Sequence, residues 1–170
     1  MTEDQSLSIF GLPIANISGE TLLGVIHTAV REKRKITITY ANQNSLNRAY
    51  RDTQISGCFR SFTIIHPDGI GIHLASRLLY GNKGLAKRLT GSDLYGLILA
   101  DSRMTGMTIF FFGDTEETVS LLKKNIEKTV CAGAVSGYGF NTDEVLRQIA
   151  LAKPDIVMVG LGSPLQEEWI

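Results

Sequence analysis

Asp68 is the side chain of this sequence best placed to do chemistry. It follows the apolar stretch Phe62–Ile65 within Pro67-Asp68-Gly69, so it stands where a strand ends and a loop begins. A carboxylate at such an edge accepts the proton of an attacking hydroxyl. Pro-Asp-Gly is also an ordinary turn tripeptide, and taken alone the turn is the commoner use. His66 next to it reads as an orienting partner or as a satisfied strand-end histidine. Other polar candidates carry the same double meaning. Asn42 and Asn44 suit ligand contacts or helix caps, and Gln166, three residues after Ser163, suits a ligand or a capping box. Asp114 reads as a cap or a ribose ligand, and Arg88 as a solvated charge or an anion partner. Tyr138 reads as core or as a platform for a base.

These residues fall in four loops, Ala41–Ser45, His66–Gly71, Gly113–Thr115 and Gly160–Gln166, each short and rich in Gly, Asn, Asp or Ser. The elements around them alternate. Helical spacing is read over Ser18–Arg34, Asn42–Asp52, Ile70–Tyr80 and Ser92–Arg103, and again after Asp114 and after Asn141. Strands are read at Ile36–Tyr40, Phe62–Ile65, Met107–Phe112, Val130–Val135 and Asp155–Gly160, with a last helix opened by Ser163-Pro164. Asp114 and Glu117 form a capping-box pattern, as do Asn141 and Glu144. In Ile70–Tyr80, Ile72, Ala75 and Leu79 fall on one face and His73, Arg77 and Tyr80 on another. Strands alternating with helices predict an α/β fold: a Rossmann-like parallel sheet with helices on both faces, in one domain over 1–170. In that architecture ligands bind beyond the carboxyl ends of the strands, where free helix N–H groups suit phosphate or sugar oxygens.

Standard fingerprints are incomplete. The Gly-x-Gly pairs at 69/71, 137/139 and 160/162 lack the third glycine of a dinucleotide site. There is no phosphate-binding lysine loop, no nucleophile elbow and no Asp-x-Asp pair for a divalent ion. His27, His66 and His73 lack metal-ligand spacing, so neither a metal nor a cofactor is expected. The 170 residues carry 17 basic and 17 acidic groups, with 44% hydrophobics, the balance of an ordinary globular domain. Zero formal charge argues against general nucleic-acid binding. Two cysteines, Cys58 and Cys131, build no disulfide framework and suit a reducing compartment. No apolar run approaches the ~20 residues of a spanning helix, and Met1–Gln5 lacks the plan of a signal peptide. The sequence stops at Trp169-Ile170, within the first turns of the last helix, which reads as a truncated fragment.

Five blocks, taken in order, resemble a family. They are Pro67-Asp68-Gly69-Ile70-Gly71, then Arg88 to Leu94, Ile109 to Gly113, Gly137-Tyr138, and Pro154 through Gly162-Ser163-Pro164-Leu165-Gln166-Glu167 to Ile170. Over roughly residues 8–170 the chain is similar to the WecG/TagA/CpsF glycosyltransferases. The resemblance implies a bacterial, inverting, metal-independent enzyme. It would move N-acetylmannosamine, its uronic acid or a glucose-type or glucuronic sugar from a UDP-sugar to a polyprenyl-diphosphate-linked saccharide, in the making of cell-surface polysaccharide. It implies a cytoplasmic enzyme, peripheral on the inner face of the plasma membrane and docked there by a C-terminal segment beyond this chain, with self-association open. It makes Asp68 the base, and Asn42, Arg88, Gly113, Tyr138 and Gln166 the substrate-binding residues; Tyr40 stands where the family has threonine. The readings kept beside it are an NAD(P)-binding oxidoreductase and a non-catalytic nucleotide-binding module.

Overall fold

The computed structural model describes residues 6–85, 90–127 and 130–170. The chain divides into two compact units, residues 1–97 and 98–170, and each has its own sheet. The α/β character and the mostly parallel pairing are as the sequence implies, with helices flanking the strands. The strands are shared between two sheets, where periodicity suggested one.

The first unit begins with a hairpin that the sequence reading did not contain. Strands β1 (Ser6–Ile9) and β2 (Leu12–Ala15) pair antiparallel, Ile9 facing Leu12 across a two-residue loop. Phe10 and Gly11 both have positive φ, 48° and 75°, the signature of the turn whose twist matches paired strands. Helix α1 (Gly19–Arg31) is capped by Ser18, whose side chain accepts from the Thr21 N–H, and it buries Leu22, Ile26 and Ala29. Strand β3 (Ile38–Ala41) leads through α2 (Gln43–Arg51) and α3 (Thr53–Ser61) to β4 (Ile64–Pro67). The sheet order is β1-β2-β4-β3. All four residues of β4 are buried, as a strand flanked on both edges requires. Helix α4 (Ile70–Tyr80) follows. The core gathers Ile9, Leu12, Ile14, Leu46, Phe59, Ile65 and Ile72.

Helix α4 buries only part of the apolar row that spacing draws through Ile72, Ala75 and Leu79. Ile72 and Ser76 face inward, whereas Leu79 is exposed. A serine tolerates this burial because its hydroxyl is used twice: Ser76 Oγ donates to the His73 carbonyl at 2.7 Å and accepts from the Leu85 N–H at 3.0 Å. The boundary between the units falls inside α5 (Gly91–Thr105).

The second unit is a parallel sheet of order β6-β5-β7, from β5 (Ile109–Gly113), β6 (Cys131–Val135) and β7 (Ile156–Gly160). Central β5 is buried from Ile109 to Phe112. Phe112 packs edge-on to Phe140 and tilted on Trp169, with ring centroids 4.9 and 4.7 Å apart. The near-continuous apolar run of Asp155–Gly160 suits a strand covered on both faces; among the described residues β7 is an edge strand, with Val157 and Gly160 exposed and Val159 packed against the Phe110, Phe112 and Val145 cluster. Helices α6 (Glu116–Asn125), α7 (Thr142–Ala152) and α8 (Leu165–Trp169) complete the unit.

Candidate functional site

In the first unit the register of two parallel strands builds the site. Ala41 pairs with Pro67, so Asn42 and Asp68 leave the sheet side by side. The Asp68 N–H donates to the Ala41 carbonyl at 2.9 Å, which ties the two loops together. Asp68 Oδ1 accepts from the Gly91 N–H at 3.0 Å, at the start of α5. That bond fixes the carboxylate and leaves Oδ2 outside it. Gly69 has φ 88° and ψ 168°, a conformation essentially reserved for glycine, and this turn launches α4 without a side-chain cap. Asp68 is therefore not capping α4; the turn reading holds for the backbone, and the carboxylate points elsewhere.

A cavity of about 500 Å³ opens here. Asn42, Gln43, Asn44 and Asn47 line one side, and Asp68, Gly69 and Gly71 the other. Asn42 does cap α2: its Oδ1 accepts from the Ser45 N–H at 3.0 Å, and Ser45 Oγ returns the favour to the Asn42 N–H at 2.8 Å. Its Nδ2 remains a donor for the cavity, so cap and ligand roles are compatible. A Cβ on Gly71 would lie 3.2 Å from Gln43 Oε1, so glycine there lets the Gln43 side chain lie close over α4. The sequence reading overlooked Gln43 and Asn47. Their signal was present as carboxamides at 43, 44 and 47, the last standing i+4 from the first and i+3 from the second, on one side of the helix.

Two neighbours feel the carboxylate. Burial, and then the Asp68 charge, push the Tyr40 phenol above its ordinary value. His66 is 1% exposed; burial holds its pKa below the usual histidine value, with the Asp68 charge acting the other way. The Tyr40 and His66 rings meet edge to face at 6.0 Å. His66 is thus a buried neutral group behind the carboxylate.

The other two candidate loops meet in the second unit. Asp114 N–H donates to the Gly160 carbonyl at 3.2 Å, and Gly137 N–H to the Asp114 carbonyl at 2.9 Å. A Cβ on Gly113 would fall 2.3 Å from the Gly160 oxygen, so only glycine permits this approach of β5 and β7. Asp114 is not the helix cap that its spacing to Glu117 suggested. It has φ 60° and accepts from the Thr115 N–H, while Thr115 caps α6 through the Thr118 N–H. Gln166 makes no box with Ser163. Its Oε1 accepts from the Gly162 N–H at 3.2 Å and its Nε2 donates to Glu167 Oε1 at 2.9 Å, which pins the loop after β7. Tyr138, read as core or as a platform for a base, is 75% exposed on the neighbouring loop, which excludes the core. Arg88 lies outside the described residues.

An α/β protein with a polar pocket at the carboxyl ends of parallel strands belongs to the class that holds ligands at those ends. The sequence narrows this further. Residues 7–170 match the model of the Glycosyl transferase WecG/TagA/CpsF family, and the chain belongs to that family. It is 31% identical over 147 residues to an N-acetylglucosaminyldiphosphoundecaprenol N-acetyl-beta-D-mannosaminyltransferase of Bacillus spizizenii, covering 84% of this chain. It is 29% identical over 171 residues to the enzyme of that name from Bacillus subtilis, covering 98% of this chain. The Staphylococcus aureus enzyme of that name is 28% identical over 170 residues, covering 96%. The chain spans 56% of the length of the first relative and 66% of the other two. No helix among the described residues is long and apolar enough to cross a membrane.

Proposed function

We propose that the protein transfers N-acetylmannosamine, or a closely related hexose, from a UDP-sugar to the N-acetylglucosamine of a polyprenyl-diphosphate lipid. The observation that carries this reading is the strand-end carboxylate set in a cavity of carboxamides, in a chain of this family. A hydroxyl of the acceptor attacks the anomeric carbon. The new carbon–oxygen bond forms as the bond to the nucleotide diphosphate breaks, and that electron pair leaves with UDP. Asp68, anchored through Oδ1 to Gly91, takes the hydroxyl proton on Oδ2. The β linkage in the relatives' names fits attack on the face opposite a departing α-linked nucleotide.

The lining of the first-unit cavity supports a sugar as its occupant. Carboxamides offer donors and acceptors together, which is what hydroxyl and acetamido groups require, and a carboxylate beside them disfavours a diphosphate. The diphosphate then falls to Arg88 and to loop N–H groups. In the second unit, taken by itself, exposed Tyr138 offers a face to a base, and Gln166 pins the loop after β7. The test is transfer to a lipid-diphosphate N-acetylglucosamine acceptor with a panel of UDP-sugars. Turnover with UDP-N-acetylmannosamine above the others supports the reading. UDP binding without turnover of any sugar favours a binding module instead.

A further inference from the structure

Helix α4 carries an aliphatic row on its outer side. Its inward positions include Ser76, while Ile70, Leu74 and Leu78 are 54%, 61% and 88% exposed. These three recur every four residues and share one outward face, with Arg77 exposed beside them. A surface helix ordinarily turns polar residues to water, so an outward aliphatic row marks a surface with an apolar occupant. The row also starts at the proposed active site: Ile70 lies between Gly69 and Gly71, both of which line the Asp68 cavity.

We propose that the Ile70–Leu74–Leu78 face of α4 is the rest for the polyprenyl chain of the acceptor lipid. The proposal rests on the glycosyltransferase reading, in which a sugar hydroxyl reaches Asp68 and the diphosphate and isoprenoid trail outward. The row from Ile70 to Leu78 runs about 12 Å along the helix, enough for two or three isoprene units. A second copy of the chain fits the face less well. Three aliphatic side chains offer on the order of a few hundred Å², against roughly 800 Å² per partner in a stable interface.

The test uses geranylgeranyl diphosphate below its micellar concentration, with inorganic diphosphate as the headgroup control. Leu74→Ser/Leu78→Ser in the otherwise intact chain is compared with the parent; both positions are exposed, so the fold is kept. Affinity for geranylgeranyl diphosphate should fall about tenfold to a hundredfold, with affinity for inorganic diphosphate unchanged. Equal binding of the prenyl diphosphate by both proteins overturns the proposal. So does a parent that binds the two ligands alike. A parent dimer that the double variant disperses, with no competition from the prenyl chain, assigns the face to self-association and also overturns it. Leu-dependent binding to lipid vesicles without any prenyl diphosphate assigns it to the bilayer, with the same consequence. Transfer is measured in parallel on long-chain and short-chain acceptors. A parent inert on both removes the glycosyltransferase reading while the binding result still decides the surface; normal transfer with unaltered prenyl binding removes only the surface.

Discussion

Asp68→Asn separates chemistry from architecture. Asparagine keeps an oxygen at the Oδ1 position, so the 3.0 Å bond from the Gly91 N–H survives and the α5 start stays anchored. The stability change should remain below about 1 kcal/mol. Asp68→Ala removes the acceptor and leaves that N–H without its partner, which costs about 1 kcal/mol more. The two variants should nonetheless lose transfer alike, because neither accepts a proton. General-base catalysis is worth roughly 10² to 10⁴ in rate, or about 2.7–5.5 kcal/mol of barrier. Initial rates with saturating UDP-sugar measure kcat, calorimetry with UDP measures nucleotide binding, and urea melts measure stability. The substitution also removes one of the two causes holding up the Tyr40 pKa, so the phenol should titrate lower in Asp68→Asn. Transfer within tenfold of the parent in Asp68→Asn, at unchanged stability, refutes Asp68 as the base. Loss of UDP affinity in parallel with transfer refutes a role for Asp68 confined to the proton.

Gly69→Ala forces a side chain into φ 88°, ψ 168°, so it should cost about 1–3 kcal/mol and lower transfer, read by urea melts and rates; an unchanged midpoint contradicts the strain. Asn42→Ala removes the α2 cap and a cavity donor together, so about 1 kcal/mol of stability should go along with a raised KM for sugar. Asn42→Asp keeps the cap acceptor while losing the Nδ2 donor, so restored stability without restored KM isolates the ligand role. His66 is held neutral by burial, below the usual value near 6.5 that it regains on unfolding. The unfolded chain therefore binds a proton that the folded chain refuses, and stability should drop as pH falls below about 6.5. His66→Asn should flatten that part of the profile relative to the parent, and parallel profiles would show that His66 contributes nothing to it.

Local chemistry was legible wherever it is written within a few residues. Asn141 caps α7 through the Glu144 N–H as its spacing implies, and α4 runs over the stretch that periodicity marks. Elsewhere the deciding partner was distant in sequence. Thr115 rather than Asp114 caps α6 because the backbone at Asp114 takes φ 60°, where its N–H meets Gly160 and its carbonyl Gly137. The inward row of α4 turned on Ser76 finding Leu85, nine residues away, a bond that hydrophobic periodicity does not encode. The β1–β2 hairpin hid behind a Phe-Gly turn, where only the glycine announces positive φ.

By itself the sequence determined the α/β alternation, the strand-end carboxylate of Asp68, the order of blocks that marks the family, and the aliphatic content of α4. Those are properties of residue type and near spacing. Tertiary structure decided which strands pair, and so that Asn42 and Asp68 emerge together while Gly113, Tyr138 and Gln166 gather on another sheet. It also decided which face of α4 meets water. Strand register and helix rotation are set by packing against residues tens of positions away, so they become defined only once the core has closed.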